Sequence, residues 1–184
     1  MFDLINGIPL HPLVVHAIVV LLPLAVIGTI VIAFVPRWRV RYGVLVVACT
    51  AAATVLLPVA TSSGTALSGR VGNPGEHSEL GDQLILFAIP LFLLVAALVW
   101  LQWRRDRSAR ATLAADTPTA APGATPETSA AETGPTQRPP VGGPALMVVA
   151  VLAVVVALAN GVQVYRVGDS GAKAVWSSRI SATR

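Results

Sequence analysis

Residues 10–35 read "LHPLVVHAIVVLLPLAVIGTIVIAFV". No Asp, Glu, Lys or Arg interrupts this run, and about 20 apolar residues suffice to carry a helix across the hydrocarbon of a bilayer. A lone strand would leave its N–H and C=O groups without partners in lipid, so the run is expected to be a helix. Three more apolar segments follow, at residues 42–60, 84–103 and 144–167. The expected fold class is all-α: a polytopic membrane protein built as a four-transmembrane-helix bundle.

Composition points the same way. The 184 residues are 54% hydrophobic and only 12% charged, whereas a soluble domain carries about 25% charged residues. The formal charge of +4 would suit nucleic acid, but the basic residues flank the apolar runs, where membrane topology places them. The lipid bilayer is therefore the expected partner, and nucleic acid is not. Cys49 is the single cysteine and lies inside an apolar run, so it supports neither an internal disulfide nor a cysteine-rich metal site.

The chain divides into three parts. Residues 1–110 hold the first three helices. Residues 111–143, rich in Ala, Thr, Pro, Gly and Glu, lack the apolar surface needed to offset ordering entropy and read as a disordered linker. Residues 144–184 hold the fourth helix and a tail. Arg37, Arg39, Arg41, Arg104, Arg105, Arg107 and Arg110 all fall beside one face of the bundle. The positive-inside rule puts that face and the linker in the cytoplasm, with both termini extracytoplasmic on a plasma-membrane protein. The first residues, with Asp3 and no Lys or Arg, lack the basic start of a signal peptide, so helix one is expected to be retained. Trp38, Trp100 and Trp103 mark the inner boundary, and Tyr165 and Trp176 the outer one.

This topology collects all three histidines on the outer side. Twenty or so residues of hydrocarbon counted back from Val35 reach His16, and His11 lies about 7–8 Å further out at 1.5 Å per residue. His77 falls in the outer loop "VGNPGEHSELGDQ", together with Glu76, Glu79 and Asp82. Pro12 suits the first turn of a helix. An imidazole at the edge of lipid is expected to face the bundle interior and find a partner, which singles out His16. The five-residue spacing rotates a helix by about 140°, so His11 and His16 cannot both address one partner.

The remaining intramembrane signals concern packing. Pro23, Pro58 and Pro90 fall within spans and are expected to kink them. Ala157 and Gly161 give helix four a small-xxx-small face, and Asn160 and Gln163 are candidates for interhelical hydrogen bonds. A phosphate loop, a nucleophile elbow and a zinc-protease motif are all absent from the sequence.

The segments "LHPLVVHAIVVLLPLA", "HSELGD" and "GVQVYRVGDSGAKAVW" together resemble a bacterial membrane-protein family, domain of unknown function 2231. Its His-Pro-x-x-Val-His start corresponds to His11, Pro12, Val15 and His16; the continuation "AIVVLLP" departs from the family's usual Phe-Pro-Ile-Ala. The "GDSGAKAVW" segment resembles versions typical of actinobacteria-like, high-GC genomes. The resemblance implies a four-helix membrane fold and, through relatives fused to cytochrome c or Rieske-type domains, an association with respiratory redox complexes.

Two readings follow. The first is a non-catalytic membrane subunit or assembly factor whose outer loop and tail, with Trp176 as an aromatic anchor, bind a partner of a membrane redox complex. The alternative is a redox module that binds haem b or a transition metal. Imidazole is a common axial ligand of haem iron, and His16, His77 and His11 would supply ligands, with Arg70 or Arg166 paired to the propionates. A metal site without haem would draw on His11, His16, His77, Glu76 and Glu79.

Overall fold

Val35 alone separates the first two helices. It precedes Pro36 and is extended (φ −114°, ψ 94°), the conformation that the proline ring imposes on its predecessor. Pro36 then opens the next helix, where its missing N–H leaves nothing unpaired. The computed structural model describes residues 4–5, 8–72, 75–115 and 143–181. Its elements are β1 (Leu4–Ile5) and β2 (Ile8–Pro9), then α1 (Leu10–Phe34), α2 (Pro36–Val71), α3 (Glu76–Ala115) and α4 (Pro144–Ser181). Residues 116–142, most of the expected linker, lie outside the described residues.

All four helices are long and apolar enough to cross a membrane. They overrun the apolar segments of the sequence. The polar stretch at 61–69 continues α2 instead of ending it, residues 104–115 extend α3, and α4 runs on to Ser181. A 40-residue helix such as α3 is about 60 Å long, twice the hydrocarbon thickness. Hydropathy marks the part of each helix in lipid and says nothing of where its hydrogen-bond ladder stops.

Each helix packs against its sequence neighbours, and α1 also packs against α4, which closes a four-membered ring. No more than 33% of the most apolar window of any helix is buried inside the protein. The outward faces carry side chains such as Val20, Ile27, Val44, Val55, Leu86, Leu93 and Val162, which require lipid around them. The interior holds two continuous clusters. One, around Leu22, Leu57 and Ala88, lies toward the histidines. The other, around Ile32, Leu91 and Leu98, lies toward the arginines.

The two hairpins, α1–α2 and α3–α4, repeat one pattern. The buried residues Val14, Ile18, Leu22, Ala25, Thr29 and Ile32 of α1 are spaced as Leu80, Leu84, Ala88, Leu91, Val95 and Leu98 are in α3. The buried Val46, Thr50, Ala53 and Ser63 of α2 match Ala153, Ala157, Asn160 and Ser170 of α4 in the same way. The start of each first helix meets the far part of the second, His11 at Ala60 and His77 at Val167, so the second helices return antiparallel, as expected of a repeated hairpin.

Glycine sets the tightest approaches. A Cβ added at Gly28 would lie 2.9 Å from a Val46 methyl, and one at Gly43 would lie 2.8 Å from a Val99 methyl, so each glycine receives a valine side chain of the neighbouring helix. On α4, Ala157 is fully buried, but a Cβ at Gly161 would meet only Val26, at an ordinary 3.7 Å. Pro23, Pro58 and Pro90 lie inside α1, α2 and α3 without ending them. Buried Thr29 and Thr50 donate to carbonyls of their own helices, Ala25 at 2.7 Å and Val47 at 2.8 Å, which satisfies their hydroxyls without a partner helix.

Candidate functional site

His11 stands in the first turn of α1 and reaches across to α2. Its Nδ1–H donates to the Ala60 carbonyl at 2.9 Å; a carbonyl only accepts, so this contact places the proton on Nδ1. The Ser63 hydroxyl donates to the same carbonyl at 3.1 Å and lies 3.4 Å from Nδ1. A Cβ at Gly64 would fall 2.9 Å from the ring's Cε1, so only glycine leaves room for the imidazole edge.

His77 repeats this arrangement on the second hairpin. Its Nδ1–H donates to the Val167 carbonyl of α4 at 3.1 Å. Ser170 donates to that carbonyl at 3.0 Å and lies 3.4 Å from Nδ1. A Cβ at Gly171 would stand 3.0 Å from Cε1. In both hairpins a histidine on the first helix is received by a carbonyl, a serine three residues later and a glycine four residues later on the second. A Ser-Gly pair stands at each receiver, but Ser68-Gly69 repeats it on α2, so the dipeptide alone does not single the receivers out.

The structure places His77 on α3 itself, not in a loop. Gly75, at φ 61°, accepts the first helical hydrogen bond from Ser78, and Glu76 and Glu79 occupy the first turn, where carboxylates complement the helix dipole. Both glutamates are exposed.

His16 corrects the expectation that it faces the interior. It is exposed, and its Nδ1 donates to Pro12 of its own helix at 2.6 Å. The rotation that turns His11 toward α2 carries His16 to the outer face. The expected shared ligand set of His11, His16, His77, Glu76 and Glu79 is not assembled: among the described residues no three His, Cys, Asp or Glu side chains lie close enough to hold one ion. Arg166 is exposed on α4, and the side chain of Arg70 lies outside the described residues.

Two polar side chains tie α4 to α3. Asn160 donates to the Phe87 carbonyl at 2.8 Å and Gln163 to the Leu80 carbonyl at 3.2 Å. Both expected interhelical bonds are present, although the Asn160 Oδ1, fully buried, has no hydrogen-bond partner among the described residues.

At the opposite end the sequence reading missed Arg39. Counted there as one more topology charge, it is buried at 3% exposure. Its Nε and Nη2 donate to the Ile32 and Ala33 carbonyls at 2.8 and 2.7 Å, capping the last turn of α1, whose carbonyls would otherwise be orphaned. Its Nη1 donates to Gln102 of α3 at 3.3 Å, and Gln102 donates to Asp106 at 3.0 Å. Nearby, Arg104 and Arg107 stack on Trp100 and Trp103, 4.7 and 3.5 Å from the ring centroids.

No curated protein and no solved structure matches this chain. The family model described as "Predicted membrane protein (DUF2231)" matches residues 7–125. The match takes in His11, His16, Ser63-Gly64 and His77 and stops before α4, so the likeness read in residues 161–176 lies beyond it. With four membrane-spanning helices and more than half its length matched, the chain belongs to the DUF2231 family of membrane proteins.

Proposed function

We propose that this protein is a non-catalytic membrane subunit whose histidine-bearing end docks a partner protein, and that His11 and His77 are clamps that hold that end in shape. One observation carries this reading. Both inward imidazoles are engaged through Nδ1 with a neighbouring helix and packed edge-on against glycine. Rings fixed in this way rigidify the end from which α2 and α4 continue.

Past the histidine layer, α4 presents exposed Gly168, Asp169, Ala172, Lys173 and Trp176, with Lys173 paired to Asp169 at 2.6 Å. The arginine distribution would place this rim on the extracytoplasmic side. A partner within a respiratory redox complex agrees with what the family resemblance implies. In-cell photocrosslinking tests the reading: a probe at Trp176 is expected to capture a discrete partner that a probe at lipid-facing Val155 does not. Identical products from both positions, or none from Trp176, would count against it.

A second reading keeps the histidines as ligands. Donation through Nδ1 leaves Nε2 of His11 and His77 with its lone pair, and ligating imidazoles are commonly oriented by such a bond to a backbone carbonyl. His11 and His77 fit a haem or metal group in this respect; outward-facing His16 does not. A bound haem would supply one-electron transfer. The visible spectrum of protein purified from haem-replete cells decides: a Soret band lost in His77→Ala supports it, and a colourless, iron-free preparation removes it.

A further inference from the structure

A groove of about 470 Å³ runs between α2 and α3 at the arginine end. Its inner part is walled by Val44 and Val47 of α2 and by Ala96 and Val99 of α3. Toward the end of the bundle the lining changes to Trp100 and Trp103, then to Gln102 and Asp106. Val44 is 73% exposed and the two indoles about half exposed, so the groove opens sideways toward the bilayer. From Arg39 to Val47 it extends about 12 Å at 1.5 Å per residue, enough for the upper part of an acyl chain.

From this gradient we infer that the groove is a binding site for one anionic phospholipid, its acyl chain between α2 and α3 and its phosphate at Arg104 and Arg107. The apolar walls alone would accept any acyl chain; the charges select the head. Arg104 and Arg107 are exposed and lie over the two indoles that wall the mouth. Stacking fixes each guanidinium plane while leaving its N–H donors for a phosphate, which arginine binds in bidentate fashion. Arg39 also lines the groove, but it is buried and its guanidinium is held by bonds to Ile32, Ala33 and Gln102, which leaves the exposed Arg104 and Arg107 to take the phosphate.

Among the described residues Asp106 is the single carboxylate lining the groove, and it accepts from Gln102. Against it stand Arg37, Arg41, Arg104, Arg105, Arg107 and Arg110 on the same ends of α2 and α3, so the local charge is strongly positive. Basic pockets between membrane helices select anionic head groups on these grounds. This site does not depend on the partner-docking reading, because it lies at the other end of the bundle.

Native mass spectrometry of protein released from nanodiscs of equimolar phosphatidylglycerol and phosphatidylcholine tests the inference. One phosphatidylglycerol is expected to remain bound in large excess over phosphatidylcholine. Retention should fall at least tenfold in the double variant Arg104→Gln/Arg107→Gln, and equally in Val44→Trp, which plugs the groove from a lipid-facing position and leaves the bundle core untouched. Arg110→Gln should retain the lipid. Equal retention of the two lipids overturns the site. So does undiminished retention in Val44→Trp, which would reduce the effect to surface electrostatics. Helicity by circular dichroism confirms that each variant is folded before its lipid is counted.

Discussion

Gly171 of α4 lies so close to His77 of α3 that a methyl group added to it would stand 3.0 Å from the imidazole Cε1. Gly64 and His11 stand in the same relationship on the first hairpin, at 2.9 Å. These are contacts between helices far apart in sequence, and each pairs a hydrogen bond with a steric fit. A larger side chain at either glycine must push the ring off its carbonyl.

Gly64→Val and Gly171→Val are therefore expected to lower the thermal stability of the detergent-solubilised protein, and the loss should depend on the histidine. In a double-mutant cycle, Gly171→Val combined with His77→Ala should cost less than the sum of the single changes, by about 1 kcal/mol, within the usual range for residues in contact. Strict additivity would show that ring and glycine do not meet.

The histidines should differ among themselves. His77→Ala removes a bond between helices and is expected to cost about 1 kcal/mol. His16→Ala removes only a bond within one turn of an exposed face and should lie within about 0.5 kcal/mol of the parent protein, as surface changes do. Denaturation in mixed micelles reads both. A larger loss in His16→Ala would place that ring in the interior after all.

How far the sequence discloses this structure can be judged from these same histidines. The four spans follow from apolar length alone. The facing of His16 does not, because α1 is apolar on every side: lipid and protein interior accept the same Val, Leu and Ile, so no polar stripe marks the outer face. The turn signal Asn73-Pro74-Gly75 points to a loop at His77, although α3 already opens one residue before it, at Glu76. The receivers Ser63-Gly64 and Ser170-Gly171 depend on which helices become neighbours, and local spacing does not encode that. Arg39 shows the same limit, since its burial follows from the one-residue turn at Val35 that folds α2 back against the end of α1. The β1–β2 pair was not anticipated either, although Asn6-Gly7 is a dipeptide favoured between short antiparallel strands.

Arg39 should prove the most sensitive residue at the arginine end. Its charged bonds to two α1 carbonyls suggest a loss of about 1.5–3 kcal/mol in Arg39→Ala. Arg39→Lys should not restore it, because one ammonium cannot reproduce the planar fork that spans Ile32, Ala33 and Gln102. Thermal unfolding of the two variants checks this, and full rescue by lysine would show that charge alone matters there.

Asn160 offers a smaller effect. Its single bond to α3 is worth about 0.6 kcal/mol by the average for membrane interhelical bonds. Asn160→Leu also removes the unpartnered Oδ1 acceptor, so it should destabilise less than Asn160→Asp, which would bury a charge. The reverse order of melting temperatures would mean that Oδ1 has a donor.

The clamps themselves are most directly observed by solid-state NMR of the full-length protein in lipid bilayers, with labelled histidine and carbonyl-labelled valine. A correlation between the protonated Nδ1 of His77 and the Val167 carbonyl carbon is expected, absent in His77→Ala. If the His77 Nδ1 instead correlates only with water, the ring does not bridge α3 to α4, and the description of a bundle fastened at one end by two imidazoles is wrong.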